Sequence, residues 1–347
     1  MKLYIIDNST NINIIKSQHL IPLKLKKNKD GYVLLCPKKL VAILNDYGLH
    51  DQTKYYRSNF EKYLLIFKIK NITEIYTRSI IDFFWILFFK TILMRKWNLA
   101  FDFRGLSSAE GSFRGKSKIK VLILECLEWV AYNYSDRLFT VSKKFKSYLE
   151  TKYTTRKNIT VIPCCVENSV FVSKPTYTTG DKLNFLYVGG LSTWQKFEYI
   201  LTVYGIISKK MNSSLTIITN EVSQAEGILK VKGVDAKVFR MDHKNISLEL
   251  TKYDFGFLFR DNILLNNVAS PVKFLEYISN GVIPIISENI GDYSELVISN
   301  KIGIIETPNI NKMIEDIVNI KKDFNIQYRL FNTAKKYTWK NYIDQLF

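Results

Sequence analysis

Residues 258–286 read LFRDNILLNNVASPVKFLEYISNGVIPII, from Leu258 to Ile286. An apolar strand ends at Arg260, a polar loop follows, and Ser270-Pro271 opens a helix, proline being suited to a first helical turn. The helix closes at Gly281, and a second strand starts at Ile283. Strand, helix and strand in this order form one unit of a parallel sheet. Unpaired backbone N–H groups at such a helix start bind diphosphate, and Lys273 adds a charge on the same turn. Glu276 lies three residues further on, hence on nearly the same face, where a carboxylate can accept both hydroxyls of a ribose. Taken alone, Ser-Pro is also an ordinary cap and Lys273 with Glu276 also a surface ion pair.

The same rhythm extends outward in both directions. Leu183 to Val188 is a strand ending in Gly189-Gly190, followed by a helix through Ile207 and strands at 215–219, 237–239, 255–259, 283–286 and 302–305. Upstream, short apolar strands at 3–6, 33–36, 74–77, 99–103, 138–141 and 160–163 alternate with helical stretches, one of them over 125–134. Polar residues crowd Ser173 to Lys182, which marks a linker. The fold class is therefore α/β, with two doubly wound Rossmann-like domains over residues 1–177 and 178–328, and a final helix, 329–347, crossing back to the first. Ligands of such domains sit at the carboxyl ends of the strands.

The opening stretch also carries a family resemblance. The run from Arg260 to Ile286 resembles the donor-binding segment of glycosyltransferase family 4, in a bacterial surface-polysaccharide subgroup reading roughly R-D-x(4)-N-x(3)-S-P-x-K-F-x-E-Y. Arg78-Ser79 with Asp102-Phe103-Arg104-Gly105 resembles that family's acceptor-side pair, and 137–142 with 161–164 its strand signature before the linker. Residues 187–195, YVGGLSTWQ, resemble its glycine loop. The first seventy residues carry little of the likeness. The resemblance implies a GT-B fold, a nucleotide-sugar donor, retention of anomeric configuration, and neither cofactor nor metal. It assigns donor binding to Gly189, Gly190, Lys196, Asn266, Ser270, Pro271, Val272, Lys273 and Glu276. Arg260 and Lys273 would neutralise the departing diphosphate. Arg78, Asp102 and Arg104 would hold the acceptor, with Asp102 receiving or deprotonating the incoming hydroxyl. Two departures stand out. Many members carry a first glutamate eight positions before the second, where this chain has Val268, and Gly190 replaces a common arginine.

Bulk properties point to the acceptor's surroundings. The 347 residues carry a net charge of +18, distributed unevenly. Through residue 180 there are 30 Lys and Arg against 14 Asp and Glu; beyond it, 20 against 18. Such asymmetry implies a polyanionic partner for the first half, either an anionic membrane face or nucleic acid. No nucleic-acid module or repeated aromatic-basic signature is present, which favours the membrane. The apolar stretch Ile80 to Met94, broken by Asp82 and Lys90, is too short to span a bilayer and reads as a core helix, with membrane contact as the alternative. Its flank Arg95-Lys96 and the later Arg114, Lys116, Lys118 and Lys120 suit anionic lipid. The four cysteines lack metal-ligand spacing and read as unpaired thiols, and the N-terminus lacks a signal-peptide pattern. His19, His50 and His243 fit no motif and read as structural or solvated. The expectation is a cytoplasmic enzyme on the inner membrane face, extending a lipid-diphosphate-linked oligosaccharide. A nucleic-acid-binding protein and an inactive GT-B partner subunit are the alternatives.

Overall fold

A computed structural model describes residues 1–8, 12–27, 31–154, 157–167 and 182–346. The chain divides into two compact units, Met1–Glu167 with Trp339–Phe347, and Asn168–Thr338. The linker expected over 173–182 lies, except for Lys182, outside the described residues, as does the 177/178 boundary.

Unit 1 is built on seven parallel strands: β1 (Lys2–Ile5), β2 (Tyr32–Pro37), β3 (Thr53–Tyr56), β4 (Glu74–Thr77), β5 (Asn98–Phe103), β6 (Arg137–Thr140) and β7 (Ile159–Val161). Their order is β3-β2-β1-β4-β5-β6-β7, so the winding reverses between β1 and β4. Tyr4 faces Leu34 on one side and Tyr76 on the other. The strand β3 has no counterpart in the sequence reading. It is a sheet edge of four residues, TKYY, whose period-two pattern is too short and too polar to stand out, and Tyr56 anchors it by donating to the Ile6 carbonyl at 2.8 Å.

The Ile80–Ile92 helix begins where Ser79 caps it by accepting from the Asp82 N–H at 3.3 Å. Asp82 is buried against Lys62 of the Asn59–Lys68 helix, so the acid that interrupts the apolar run is an internal tie between two helices. Ile80, Phe83 and Ile86 face the core while Trp85, Phe88 and Ile92 face outward. Core helix and exposed helix are thus two faces of one element. The helix expected over 125–134 starts earlier, at Lys118.

At the C-terminus the expected single helix is two, Ile326–Lys335 and Trp339–Leu346. The second belongs to unit 1. Trp339 is wholly buried there, its indole N–H donating to the Ser17 carbonyl at 3.0 Å, and Ile343 and Leu346 join the same core.

Unit 2 has six parallel strands: β8 (Leu183–Val188), β9 (Ser213–Ile218), β10 (Lys237–Phe239), β11 (Phe255–Leu258), β12 (Ile283–Ile286) and β13 (Ile304–Ile305). The order β10-β9-β8-β11-β12-β13 reverses between β8 and β11. These two strands pair only at Phe255 with Phe185 and Gly256 with Leu186. Beyond that, the Tyr277 hydroxyl takes over the pairing: it accepts from the Val188 N–H at 3.2 Å and donates to the Phe257 carbonyl at 3.3 Å. Gly256 makes room for the ring, since a β-carbon there would lie 2.6 Å from it. The wedge satisfies two buried backbone groups and opens the sheet at its switch point.

Candidate functional site

In unit 2 the polar groups collect where β8 and β11 part. Gly189 and Gly190 leave β8, Arg260 follows β11, and the Val272–Ser279 helix brings Lys273 to the same place. The helix starts at Pro271, in the extended region, and no side chain caps it. Ser270, expected to bind the donor, is buried and shares a hydrogen bond with the Tyr293 hydroxyl at 2.8 Å. Val272 and Lys273 are the first two residues of this uncapped helix, the position whose N–H groups an anion can occupy.

Lys273 reaches past the glycine loop. Its Nζ donates to Gln195 Oε1 at 2.9 Å and lies 5.8 Å from the Tyr187 ring centre. A β-carbon at Gly189 would stand 2.2 Å from this nitrogen and 2.8 Å from Gln195 Oε1, so a side chain there would displace the Lys273 amine and its partner. Burial, then the Arg260 guanidinium, push the amine down to about 7, against the pull of Glu276 and Glu221. An enclosed amine that sits near neutrality in the free protein becomes an ammonium when an anion enters.

Arg260 is held at both ends, its backbone N–H donating to Ser287 Oγ at 3.0 Å and its Nη1 to Asn266 Oδ1 at 3.2 Å. Its Nε is buried without a partner. Burial lowers its pKa from the usual arginine value. Asn266, expected to contact the donor, is itself buried, with its Nδ2 donating to the Asp261 carbonyl at 2.9 Å. It therefore sets the loop and Arg260. Lys196 is engaged by Glu306 at 3.3 Å and lies 4.5 Å from the Tyr199 ring centre, which turns it away from the role of a free phosphate ligand. Glu306 also accepts from Ser287 Oγ at 2.5 Å. Glu276 is half-buried one turn beyond Lys273.

Unit 1 has its own site at its own switch point. A cavity of about 330 Å³ is lined by Asp7, His19, Arg78, Ser79, Glu110, Arg114 and Lys116, with Ile81 and Leu124 among its apolar residues. Arg78 Nε donates to Asp102 Oδ2 at 2.9 Å and its Nη1 to the Gln18 carbonyl at 2.9 Å, while its Nη2 is buried without a partner. Arg104 Nε reaches the same Asp102 oxygen at 2.7 Å and its Nη1 the Ile162 carbonyl at 3.1 Å. The Tyr76 hydroxyl donates to that oxygen too. The structure thus brings Arg78, Asp102 and Arg104 together as the sequence implies, but in different roles. The Asp102 side chain is 0% exposed and does not line the cavity. Burial alone would raise its pKa; Arg104, Arg78 and the Tyr76 hydrogen bond outweigh that and hold the carboxyl below its ordinary range. A group so enclosed and so acidic is a poor base for a substrate hydroxyl. It orders two guanidinium groups, of which Arg78 faces the cavity.

His19 is buried and kept neutral by burial and by Arg78 and Arg104, its Nδ1 sharing a hydrogen bond with the Tyr4 hydroxyl at 3.0 Å. His50 Nδ1 pairs with the Tyr55 hydroxyl at 2.7 Å, and the His243 side chain lies outside those described. Among the described residues the cysteines form no disulfide, no cluster of His, Cys, Asp and Glu could hold a metal ion, and no helix is long and apolar enough to cross a membrane.

No family model matches the sequence, and no curated protein does. Solved structures do match in fold. A glycosyltransferase from Rickettsia africae ESF-5 aligns over 99% of this chain and 96% of its own, with a TM-score of 0.72 at 16% identity. Anabaena Alr3699/HepE in complex with UDP aligns over 100% and 98%, with a TM-score of 0.74 at 12% identity. This chain has the GT-B fold. WaaG, a glycosyltransferase involved in lipopolysaccharide biosynthesis, aligns over 100% and 99%, with a TM-score of 0.67 at 10% identity.

Within this fold two residues without a sequence-assigned role join the unit 2 site. Gln195 holds Lys273, and Glu221 accepts from the Leu191 N–H at 2.9 Å, bracing the glycine loop from the end of β9. Gln195 stands inside the glycine-loop stretch, so its position was legible; Glu221, thirty-one residues beyond Gly190, is brought there only by the sheet order.

Proposed function

We propose that this chain is a glycosyltransferase whose unit 2 binds a nucleoside-diphosphate sugar and whose unit 1 cavity takes the acceptor. The observation that carries the reading is the gathering of Lys273, Arg260, Gly189 and an uncapped helix start at the switch point of unit 2. In the same fold, Anabaena Alr3699/HepE has been crystallised with UDP-glucose, which makes a uridine nucleotide the first donor to test. The diphosphate would lie against the N–H groups of Val272 and Lys273, with the Lys273 ammonium and the Arg260 guanidinium balancing the charge that develops as the sugar departs. Hydrogen-bond donors fixed in advance where that charge develops contribute most of the rate enhancement in catalysis of this kind. Glu276 would accept the ribose hydroxyls. Transfer with retention, without a metal, follows the family 4 resemblance.

For the acceptor, the resemblance and the basic first half support a lipid-diphosphate-linked oligosaccharide at the inner face of the cytoplasmic membrane, in capsule, O-antigen or related surface-polysaccharide synthesis. Arg78, which lines a cavity together with Arg114 and Lys116, suits its phosphates. A second reading, an inactive partner subunit, has one observation in its favour: buried Val268 stands where many family 4 members carry a carboxylate. Turnover decides between them. Purified protein supplied with UDP-sugars and lipid-diphosphate saccharides should release UDP, and Lys273→Ala should lower kcat/KM by about a hundredfold or more. Nucleotide binding without any turnover, over a panel of donors and acceptors, would favour the partner subunit.

A further inference from the structure

Two adjoining helices of unit 1 turn apolar faces to the outside. On Ile80–Ile92 the exposed side chains Trp85, Phe88 and Ile92 recur at helical spacing, opposite the buried Phe83 and Ile86. On Lys118–Tyr134, Ile119, Leu122 and Ile123 are exposed in the first two turns, while burial begins at Glu128, Ala131 and Tyr132. The helices pack beside each other, and Ile81 from one and Leu124 from the other line the same cavity. The aromatic rings support one another, Trp85 lying 5.7 Å from both Phe84 and Phe88.

The charge around this surface has one sign. Residues 90–120 hold eight Lys and Arg against Asp102 and Glu110, and Asp102 is internal. Arg95, Lys96, Arg114, Lys116, Lys118 and Lys120 are all exposed. Isolated exposed apolar residues are ordinary, but a contiguous aromatic and aliphatic face bordered by cations marks a surface meant to be covered. Aromatic rings settle at the headgroup level and lysines engage anionic lipid beneath it.

We infer that the outward faces of Ile80–Ile92 and Lys118–Tyr134, with their basic border, dock this protein on an anionic lipid bilayer. The charge complementarity selects a membrane over a second copy of this chain, because two such faces would bring their lysines and arginines together. The inference deepens the membrane side of the proposed function and rests on it for its purpose. The apolar residues enter the interface and the basic residues neutralise headgroups, which brings the cavity that Ile81 and Leu124 line beside the lipid.

Flotation of the full chain with vesicles, without donor or acceptor, tests this apart from glycosyl transfer. Mixed phosphatidylcholine–phosphatidylglycerol vesicles should carry the protein upward and phosphatidylcholine alone should not. Trp85→Ser/Phe88→Ser/Ile119→Ser should weaken binding at least ~tenfold, and so should Lys96→Glu/Lys118→Glu/Lys120→Glu, with UDP affinity unchanged in both. The charge-reversal variant removes no apolar contact, so it keeps the test open should the serine variant melt early. Failure of the parent chain to bind anionic vesicles, binding that either folded variant retains in full, or a stable dimer in light scattering that the serine variant dissociates would each overturn the proposal.

Discussion

An amine enclosed beside a guanidinium releases its proton near neutrality unless an anion arrives, and Lys273 meets both conditions. With its pKa at about 7 in the free protein, Lys273 is mostly protonated below that pH and mostly neutral above it. Diphosphate binding favours the ammonium, so above pH 7 each binding event draws in a proton. UDP affinity should therefore fall as pH rises above 7, by up to about tenfold per unit. Calorimetry in buffers of different ionisation enthalpy, on the alkaline side, should record uptake of close to one proton, and Lys273→Met should abolish it; uptake of none in the parent would contradict the assignment. The sequence made Lys273 and Glu276 legible through their spacing on one helix. It could not show that Asp102 is enclosed between Arg78 and Arg104, because burial at a strand end depends on what the rest of the fold stacks around it. Nor did it show that Asn266 and Lys196 are already engaged, since their partners lie in loops and strands that only folding brings near.

At the scale of elements, the donor site depends on one wedge. Tyr277 holds β8 and β11 apart and together, and it sits on the helix that carries Lys273. Tyr277→Phe leaves the Val188 N–H and the Phe257 carbonyl buried without that hydroxyl, at a cost of about 1–3 kcal/mol. Denaturant unfolding should show that loss in unit 2, with UDP affinity reduced as the helix shifts; unchanged stability would mean the hydroxyl carries little. Most strands were visible as apolar runs, because parallel strands buried on both faces are apolar throughout. The edge strand β3 was not, nor was the π-helical turn Ile15–Leu20, whose Gln18 carbonyl receives Arg78 and whose His19 lines the unit 1 cavity. Such a turn departs from the 3.6 period on which sequence reading relies. The break at 336–338 was hidden because aromatic residues run on across it: Tyr337 contacts Tyr293 of unit 2, while Trp339, two residues on, enters the core of unit 1.

The whole molecule is two doubly wound units with different electrostatic characters, an asymmetry legible from composition alone. What composition could not supply is how the last helix completes unit 1. Trp339 is the largest fully buried side chain among the described residues, and the core around it includes Ile15, Leu20 and Leu23 from the helical stretch between β1 and β2. Trp339→Ala should cost unit 1 about 3–5 kcal/mol while leaving nucleotide binding by unit 2 intact. Two unfolding transitions followed with and without UDP would separate these effects, and equal destabilisation of both units would contradict the division. Whether unit 2 holds a nucleotide through Lys273 and Glu276 is a question for titration calorimetry. UDP, GDP, CDP, ADP and TDP should be titrated into the parent chain, Lys273→Ala and Glu276→Ala. Saturable binding of one nucleotide is expected, UDP first among them, weakened about tenfold or more by each substitution. Binding of none of the five, or binding that both variants retain in full, would contradict the donor site described for unit 2.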